Sequence, residues 1–298
     1  MTTDLGDSGH AGTTTVLVDG VAVRVRVAGS EDGEPIVLVH GIGRSLEDWQ
    51  DAQDRLATAF RVVNLDLPGF GLTPRLRAKP GLPTFARAVV GVLDALGEHR
   101  PVHLMGNSLG GAVAMTVATT RPDRVASLVL VNSAGFGREA NLPLRPMLYG
   151  VLSALPVLGA RFRPLARDAG LRLNQALFVD PAFATPERVR HAARVGRQPD
   201  FRATFVGTLL SLGLPVAGSL PGWRRALLAA VARAGKPVLV VWGDRDTVLP
   251  VKHFHAAVAT LPGVRSHLFP ATGHMPQIER VDEFTALAAD FVGGVAVP

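Results

Sequence analysis

The sequence predicts an α/β protein, a mostly parallel sheet with helices packed on both faces. Three observations lead there. Short, wholly apolar runs such as PIVLVHG (35–41) and KPVLVVWGD (236–244) read as strands covered on both sides. Helical stretches separate those runs, and that alternation is the mark of a parallel sheet with crossover helices. The rhythm breaks once, from about Ala140 to Arg233, where no convincing strand occurs.

Taken in order, TTTVLVDGVAVRVRV (13–27) alternates apolar and polar residues around Asp19-Gly20, which signals a two-residue hairpin turn. Buried-strand runs follow at PIVLVHG, FRVVNLDLPGFG (60–71), PVHLMGN (101–107), VASLVLVNSAG (125–135) and KPVLVVWGD, with VRSHLFP (264–270) as a last strand. That makes eight strands with the hairpin. Helices are expected over Leu46–Ala59, Pro83–Leu96, Leu109–Thr120, His253–Leu261 and Asp282–Val292. The stretch 140–233 is leucine- and alanine-rich, Arg-flanked and punctuated by Pro and Gly. It reads as a helical cap inserted after the sixth strand, with the core formed by 13–139 and 234–298 and a flexible tail at 1–12. The tail lacks the basic and apolar blocks of a secretory leader, so the expectation is a cytoplasmic protein.

The 298 residues have room for one large α/β domain or two small ones, and 47% hydrophobic with 19% charged residues is a globular balance. Cysteine is absent, which excludes a disulfide scaffold, a thiol nucleophile and a thiolate metal site. No cluster of His, Asp or Glu suggests a metal either. The net charge of +6 comes from 28 Arg and 3 Lys against 25 acids, and residues 133–235 alone hold 14 Arg against 5 acids. Those arginines are scattered among apolar residues with no RNA-binding motif or DNA-binding module, so no nucleic-acid partner is expected. Arg145, Arg161 and Arg163 read as part of a solvated cap surface. Ala203–Trp223 runs 21 residues without a charge, but its four glycines and two prolines fit a pocket lining or core packing better than a membrane span. Met147–Ala160 is similar and shorter.

Gly106-Asn107-Ser108-Leu109-Gly110 follows a buried strand and opens a helix. A serine on such a sharp turn stands clear of the sheet, and the helix N-terminus beneath it supplies positive potential and free N–H groups. Ser108 is therefore the candidate nucleophile. A serine hydroxyl needs a base. Of nine histidines, His103 lies inside a strand and His10 in the tail, His99 and His191 have no supporting motif, and His253 and His255 are two apart on a helix. His274 follows the last strand in a loop of small residues and prolines, and is the candidate base. An acid must hold the imidazole in register. The loop WGDRDTVLP (242–250) offers Asp244 and Asp246, and spacing does not choose between them. The backbone N–H of Leu109 is one candidate oxyanion donor, and the loop after PIVLVHG, where Gly41 and Gly43 allow an open turn, should supply the other. GIGRS (41–45) has neither a dinucleotide fingerprint nor a P-loop lysine. No cofactor is implied.

HGIG (40–43), DLPGFG (66–71), GNSLGG (106–111), WGDRDTVLP and GHMPQIERVDEF (273–284) occur in the order Ser, Asp, His across nearly the whole chain outside the cap. In these segments the sequence resembles the α/β-hydrolase superfamily, in its branch of capped serine esterases and C–C hydrolases. The resemblance implies Asp246 as the acid and Ile42 as the second oxyanion donor. It also implies hydrolysis of esters with apolar acyl groups through an acyl-enzyme, with a small apolar ester or acyl compound as the partner. The elbow GNSLGG also resembles that of the meta-cleavage-product C–C hydrolases, but those carry a tryptophan soon after the histidine and a Ser-Asn segment after the oxyanion loop. Here the matching segments read GHMPQIER and GRSLEDWQ. A serine at the elbow differs from the aspartate of haloalkane dehalogenases and epoxide hydrolases, and the only tyrosine is Tyr149. Other uses of the fold are non-hydrolytic, as a perhydrolase, acyltransferase or cofactor-free lyase, or as a ligand-binding sensor.

Overall fold

The computed structural model describes residues 12–141, 171–213, 221–261 and 263–295. The readings made for the tail at 1–11, Met147–Ala160, Tyr149, Arg145, Arg161 and Arg163 fall outside them.

Eight strands form one sheet: β1 (Thr13–Val18), β2 (Val21–Ala28), β3 (Pro35–Val39), β4 (Arg61–Leu65), β5 (Val102–Asn107), β6 (Val125–Val131), β7 (Val238–Gly243) and β8 (Arg265–Phe269). Their spatial order is β1-β2-β4-β3-β5-β6-β7-β8. The first two strands pair antiparallel, and β2 meets β4 antiparallel. From β4 to β8 every pairing is parallel. Asp19 and Gly20 both take positive φ, 49° and 78°, which matches the right-handed twist of the strands they join.

Every residue of β3, β5, β6 and β7 is buried, as their unbroken apolar runs require. Alternate residues serve opposite faces. Val37 and Val39 join the larger cluster, with α2 (Leu82–Ala95), α3 (Leu109–Thr120) and α7 (Lys252–Thr260). Ile36 and Leu38 join the smaller one, with α1 (Gln50–Leu56) and α9 (Val281–Gly293). Each such Val or Leu contributes about 1.5–3 kcal/mol by leaving water. The helix expected over Leu46–Ala59 opens as a 3-10 turn at Leu46–Trp49 before α1 begins. A four-residue helix, α8 (Pro276–Glu279), precedes α9.

Between β6 and β7 the described residues are helical, with α4 (Pro186–Val195), α5 (Phe201–Leu212) and α6 (Pro221–Ala234). Proline sits in the first turn of α4, where its missing N–H costs nothing, and the Thr185 hydroxyl accepts from the Arg188 amide at 3.3 Å. This insertion meets the core through Leu209, Leu212 and Val231, which join the larger cluster, and through polar contacts: Arg188 with Asp51 at 2.8 Å, His191 with Glu47 at 2.9 Å and Arg44 with Asn174 at 2.8 Å. Phe201 and Phe205 add an apolar contact, their stacked rings lying edge-on to Phe70. Among the described residues no helix is long and apolar enough to cross a membrane.

Candidate active site

Strand β5 ends at Asn107, and the next residue turns the chain into α3. Ser108 has φ 56° and ψ −117°, a conformation side chains rarely adopt. Such strain costs on the order of 1–3 kcal/mol and persists only when the surroundings over-determine it. Here they do: the Ser108 amide donates to Val131 O at 3.0 Å, and its carbonyl accepts from Gly111 at 3.1 Å and Ala134 at 2.9 Å. The two glycines of the motif are needed for close approach. A Cβ on Gly106 would lie 2.3 Å from the Gly110 backbone, and one on Gly110 would lie 2.1 Å from Val39 O. Ser108 keeps 9% of its surface exposed at the edge where the parallel strands end.

The loop after β3 lies beside it, for a Cβ on Gly41 would meet the Ser108 Cβ at 3.3 Å. His40 sets the direction of this loop. The Leu67 amide donates to His40 Nε2 at 2.9 Å, so that nitrogen carries no proton, and Nδ1–H donates to Gly41 O at 2.8 Å. Burial holds the ring well below its ordinary pKa and therefore neutral. Fixing the Gly41 carbonyl fixes the planar Gly41–Ile42 peptide, and with it the opposite-facing Ile42 N–H. Leu109 is the first residue of α3, so its N–H has no acceptor within the helix. Neither amide donates to another described backbone group.

His274 lies between β8 and α8. Its Nδ1 is 2.8 Å from Asp246 Oδ2, and both side chains are buried. That contact leaves Nε2 as the nitrogen available for proton transfer. Asp246 is held from two more sides. Oδ1 accepts from the amides of Val248 at 2.7 Å and Leu249 at 3.0 Å, while Oδ2 also accepts from Asn132 Nδ2 at 2.6 Å. Burial alone would raise the Asp246 pKa. The facing His274 and the hydrogen bonds from His274, Asn132 and Leu249 outweigh it and hold the carboxyl below the ordinary carboxylate range. Asp244 points elsewhere, accepting from the Thr272 amide at 3.3 Å with Arg245 at 3.8 Å. The structure thus separates the two aspartates that spacing leaves open: Asp246 meets the histidine.

Two asparagines tie these pieces together. Asn107, the last residue of β5, donates to the His274 carbonyl at 3.1 Å and to Val131 O at 3.2 Å. Asn132, just past β6, is fully buried with φ 42°, donates also to Gly273 O at 3.3 Å and accepts from the Gly243 amide at 3.3 Å. Sequence reasoning missed both, and an asparagine at a strand end in VNSAG was the available signal. Of the other histidines, buried His253 meets Glu139 at 3.2 Å, and His191 lies at the contact with Glu47. The turn DLPGFG is structural, with Asp66 accepting from the amides of Leu46 at 2.9 Å and Leu72 at 2.8 Å.

Ser108, the 41–42 loop, His274 and Asp246 all follow the carboxyl ends of parallel strands, and the Asn107 and Asn132 bonds tie the serine turn to the hydrogen-bonded His274–Asp246 pair. Residues 34–281 match the α/β hydrolase fold, and the chain belongs to that family of hydrolases. Among its relatives is the dihydrolipoyllysine-residue acetyltransferase component of the acetoin cleaving system of Cupriavidus necator, 33% identical over 93% of this chain and 68% of that one. The 2-hydroxy-6-oxononadienedioate/2-hydroxy-6-oxononatrienedioate hydrolase of Comamonas testosteroni is 30% identical over 97% of this chain and 98% of its own length. The solved meta-cleavage product hydrolase of Pseudomonas fluorescens IP01 superposes with a TM-score of 0.74 at 25% identity, covering 94% of this chain and 97% of the other.

Proposed function

We propose that this chain is a serine esterase acting on carboxylic esters of apolar acyl groups, with Ser108 as nucleophile, His274 as base and Asp246 as its acid. The observation that carries the reading is the His274–Asp246 hydrogen bond beside a serine held at φ 56°. His274 Nε2 takes the Ser108 proton as Oγ attacks the ester carbonyl, and the imidazolium then protonates the leaving alcohol. Water activated by His274 releases the acid from the acyl-enzyme. The Ile42 and Leu109 amides receive the oxyanion, each such donor being worth about 3 kcal/mol in the transition state. Asp246 stays ionised, as its depressed pKa favours.

Aromatic side chains support an apolar acyl group. Phe205 packs so close over Gly43 that a Cβ there would lie 3.0 Å from its ring, one residue from the Ile42 amide. The insertion that carries Phe201 and Phe205 then acts as a cap over the site.

Cleavage of a C–C bond in a ring-fission ketone is the second reading, favoured by the near full-length match to the Comamonas testosteroni hydrolase. Two local features weigh toward esters. The position after His274 is Met275, buried among Leu177, Phe178, Ala184 and Ile278. After the oxyanion loop stands Arg44, whose guanidinium is already bonded to Asp48 at 2.6 and 2.7 Å and to Asn174.

Wild type and Ser108→Ala should be compared on p-nitrophenyl esters of two to twelve carbons and on a 2-hydroxy-6-oxo-dienoate ketone. The ester reading expects Ser108-dependent turnover that rises with chain length, and labelling by a fluorophosphonate. Turnover of the ketone well above every ester would transfer the assignment to C–C cleavage. No labelling and no activity above the variant would end the serine-hydrolase reading.

A further inference from the structure

The segment that carries His274 holds a carboxylate with no role in the proposed reaction. Glu279 closes α8, and its side chain turns back toward the histidine loop. Oε1 accepts from the Gly273 amide at 2.7 Å, and Oε2 accepts from the Val179 amide at 2.8 Å. Gly273 immediately precedes the proposed base. Val179 belongs to the insertion between β6 and β7, 100 residues away in sequence.

A second bond runs alongside: the His274 amide donates to Leu177 O at 2.8 Å. The two backbones are in close contact, since a Cβ on Gly273 would lie 2.7 Å from Leu177 O and 3.1 Å from the Phe178 Cα. Leu177, Phe178, Ala184, Met275 and Ile278 form an apolar cluster of their own, apart from both clusters of the sheet. Residues 177–184 and 273–279 therefore pack as one small body. The Glu279 carboxylate bonds both segments through a single side chain.

We propose that Glu279 is a positioning residue that couples the seating of the insertion to the placement of His274, an inference that rests on the esterase reading above. A carboxylate suits the task because each oxygen accepts, and bonds from N–H to a charged acceptor are short and strong. A glutamine has one accepting oxygen, and its NH2 would confront the other amide. Lifting the insertion then withdraws the Val179 and Leu177 partners from the loop that aims the imidazole. Binding energy gained between an acyl chain and the insertion is thereby delivered to the base, and appears in kcat as well as in KM.

The test compares wild type, Glu279→Gln and Glu279→Ala, with active sites counted by fluorophosphonate titration. Expected is a fall in kcat per titrated site of roughly tenfold to a hundredfold, the range for a misplaced catalytic group. Dependence of kcat on acyl-chain length should flatten in both variants. A merely structural residue would lower the number of titrated sites and leave kcat per site and its chain-length dependence unchanged, and that result overturns the proposal. Hydrogen exchange gives a readout independent of activity. The amides of 177–179 and 273–274 should exchange faster together in both variants while those of β5 stay protected. Faster exchange in one segment alone, or in neither, also overturns the coupling. If wild type takes up no fluorophosphonate and hydrolyses no ester, the esterase reading falls, and exchange still decides whether the two segments are coupled through Glu279.

Discussion

His103, one residue into β5, and Ser108, just past its end, belong to two clusters of the same composition. In the first, His103 Nδ1 lies 2.7 Å from Ser127 Oγ and Nε2 lies 3.2 Å from Glu34. In the second, His274 Nδ1 lies 2.8 Å from the carboxylate of Asp246. Ser127 sits within β6 with no exposed surface, no helix starts behind it, and no free amides converge on it. Ser108 has a strained backbone, a helix N-terminus and a flanking glycine loop. A serine, a histidine and a carboxylate can thus gather between two central strands as packing alone. Which ring nitrogen faces the acid, and what stands ready to receive negative charge, separates chemistry from packing.

That contrast is most exposed to disproof at the two serines. Ser108→Ala is expected to lower kcat by on the order of 10⁵-fold or more, whereas Ser127→Ala should leave it within about twofold. Ester hydrolysis assays on both variants check this, and a large loss from Ser127→Ala would erase the distinction. Next in size is the acid. Asp246→Asn should cost roughly 10⁴-fold in kcat by favouring the wrong tautomer of His274, while Asp244→Asn stays within a few-fold of wild type.

A smaller effect is expected behind the acid. Asn132→Ala removes a hydrogen bond to a charged group, worth about 1.5–3 kcal/mol, so kcat should fall roughly tenfold or somewhat more with KM little changed. An unchanged kcat would mean that the loop bonds to Asp246 suffice without it. The smallest effect concerns the packing cluster and is read in stability. Burial holds the His103 pKa below its ordinary 6.5 despite Glu34. As pH falls below about 6.5 the unfolded chain takes up this proton before the folded one, so stability present at neutral pH is lost toward acid. His103→Gln should show a shallower fall in Tm between about pH 7 and pH 5 than wild type, whose His40 and His253 are also held neutral by burial. An equally steep fall would place the acid sensitivity elsewhere.

Much of this is legible in the sequence. Unbroken apolar runs such as VHLM and VLVV place strands between helices, and glycines around Ser108 mark the turn, because burial and close approach constrain residue type directly. The choice of Asp246 over Asp244 is legible only through the family resemblance, since both stand in one loop and spacing does not separate them. Asp246 folds back so that the Val248 and Leu249 amides grip one oxygen and present the other to the ring. Asn132 and Glu279 escaped notice for a related reason. Glu279 is held by backbone amides, and Asn132 by a backbone amide and carbonyl besides a carboxylate 114 positions away, so no local pattern of side chains betrays them.

The bond between Asn107 and the His274 carbonyl spans 167 positions of the chain. During synthesis Ser108 and its helix leave the ribosome long before the histidine loop exists. On the proposed mechanism, Ser108 has neither base nor acid until β8 has paired with β7. On that reading a growing chain carries an unreactive hydroxyl, and completing the fold is what turns hydrolysis on.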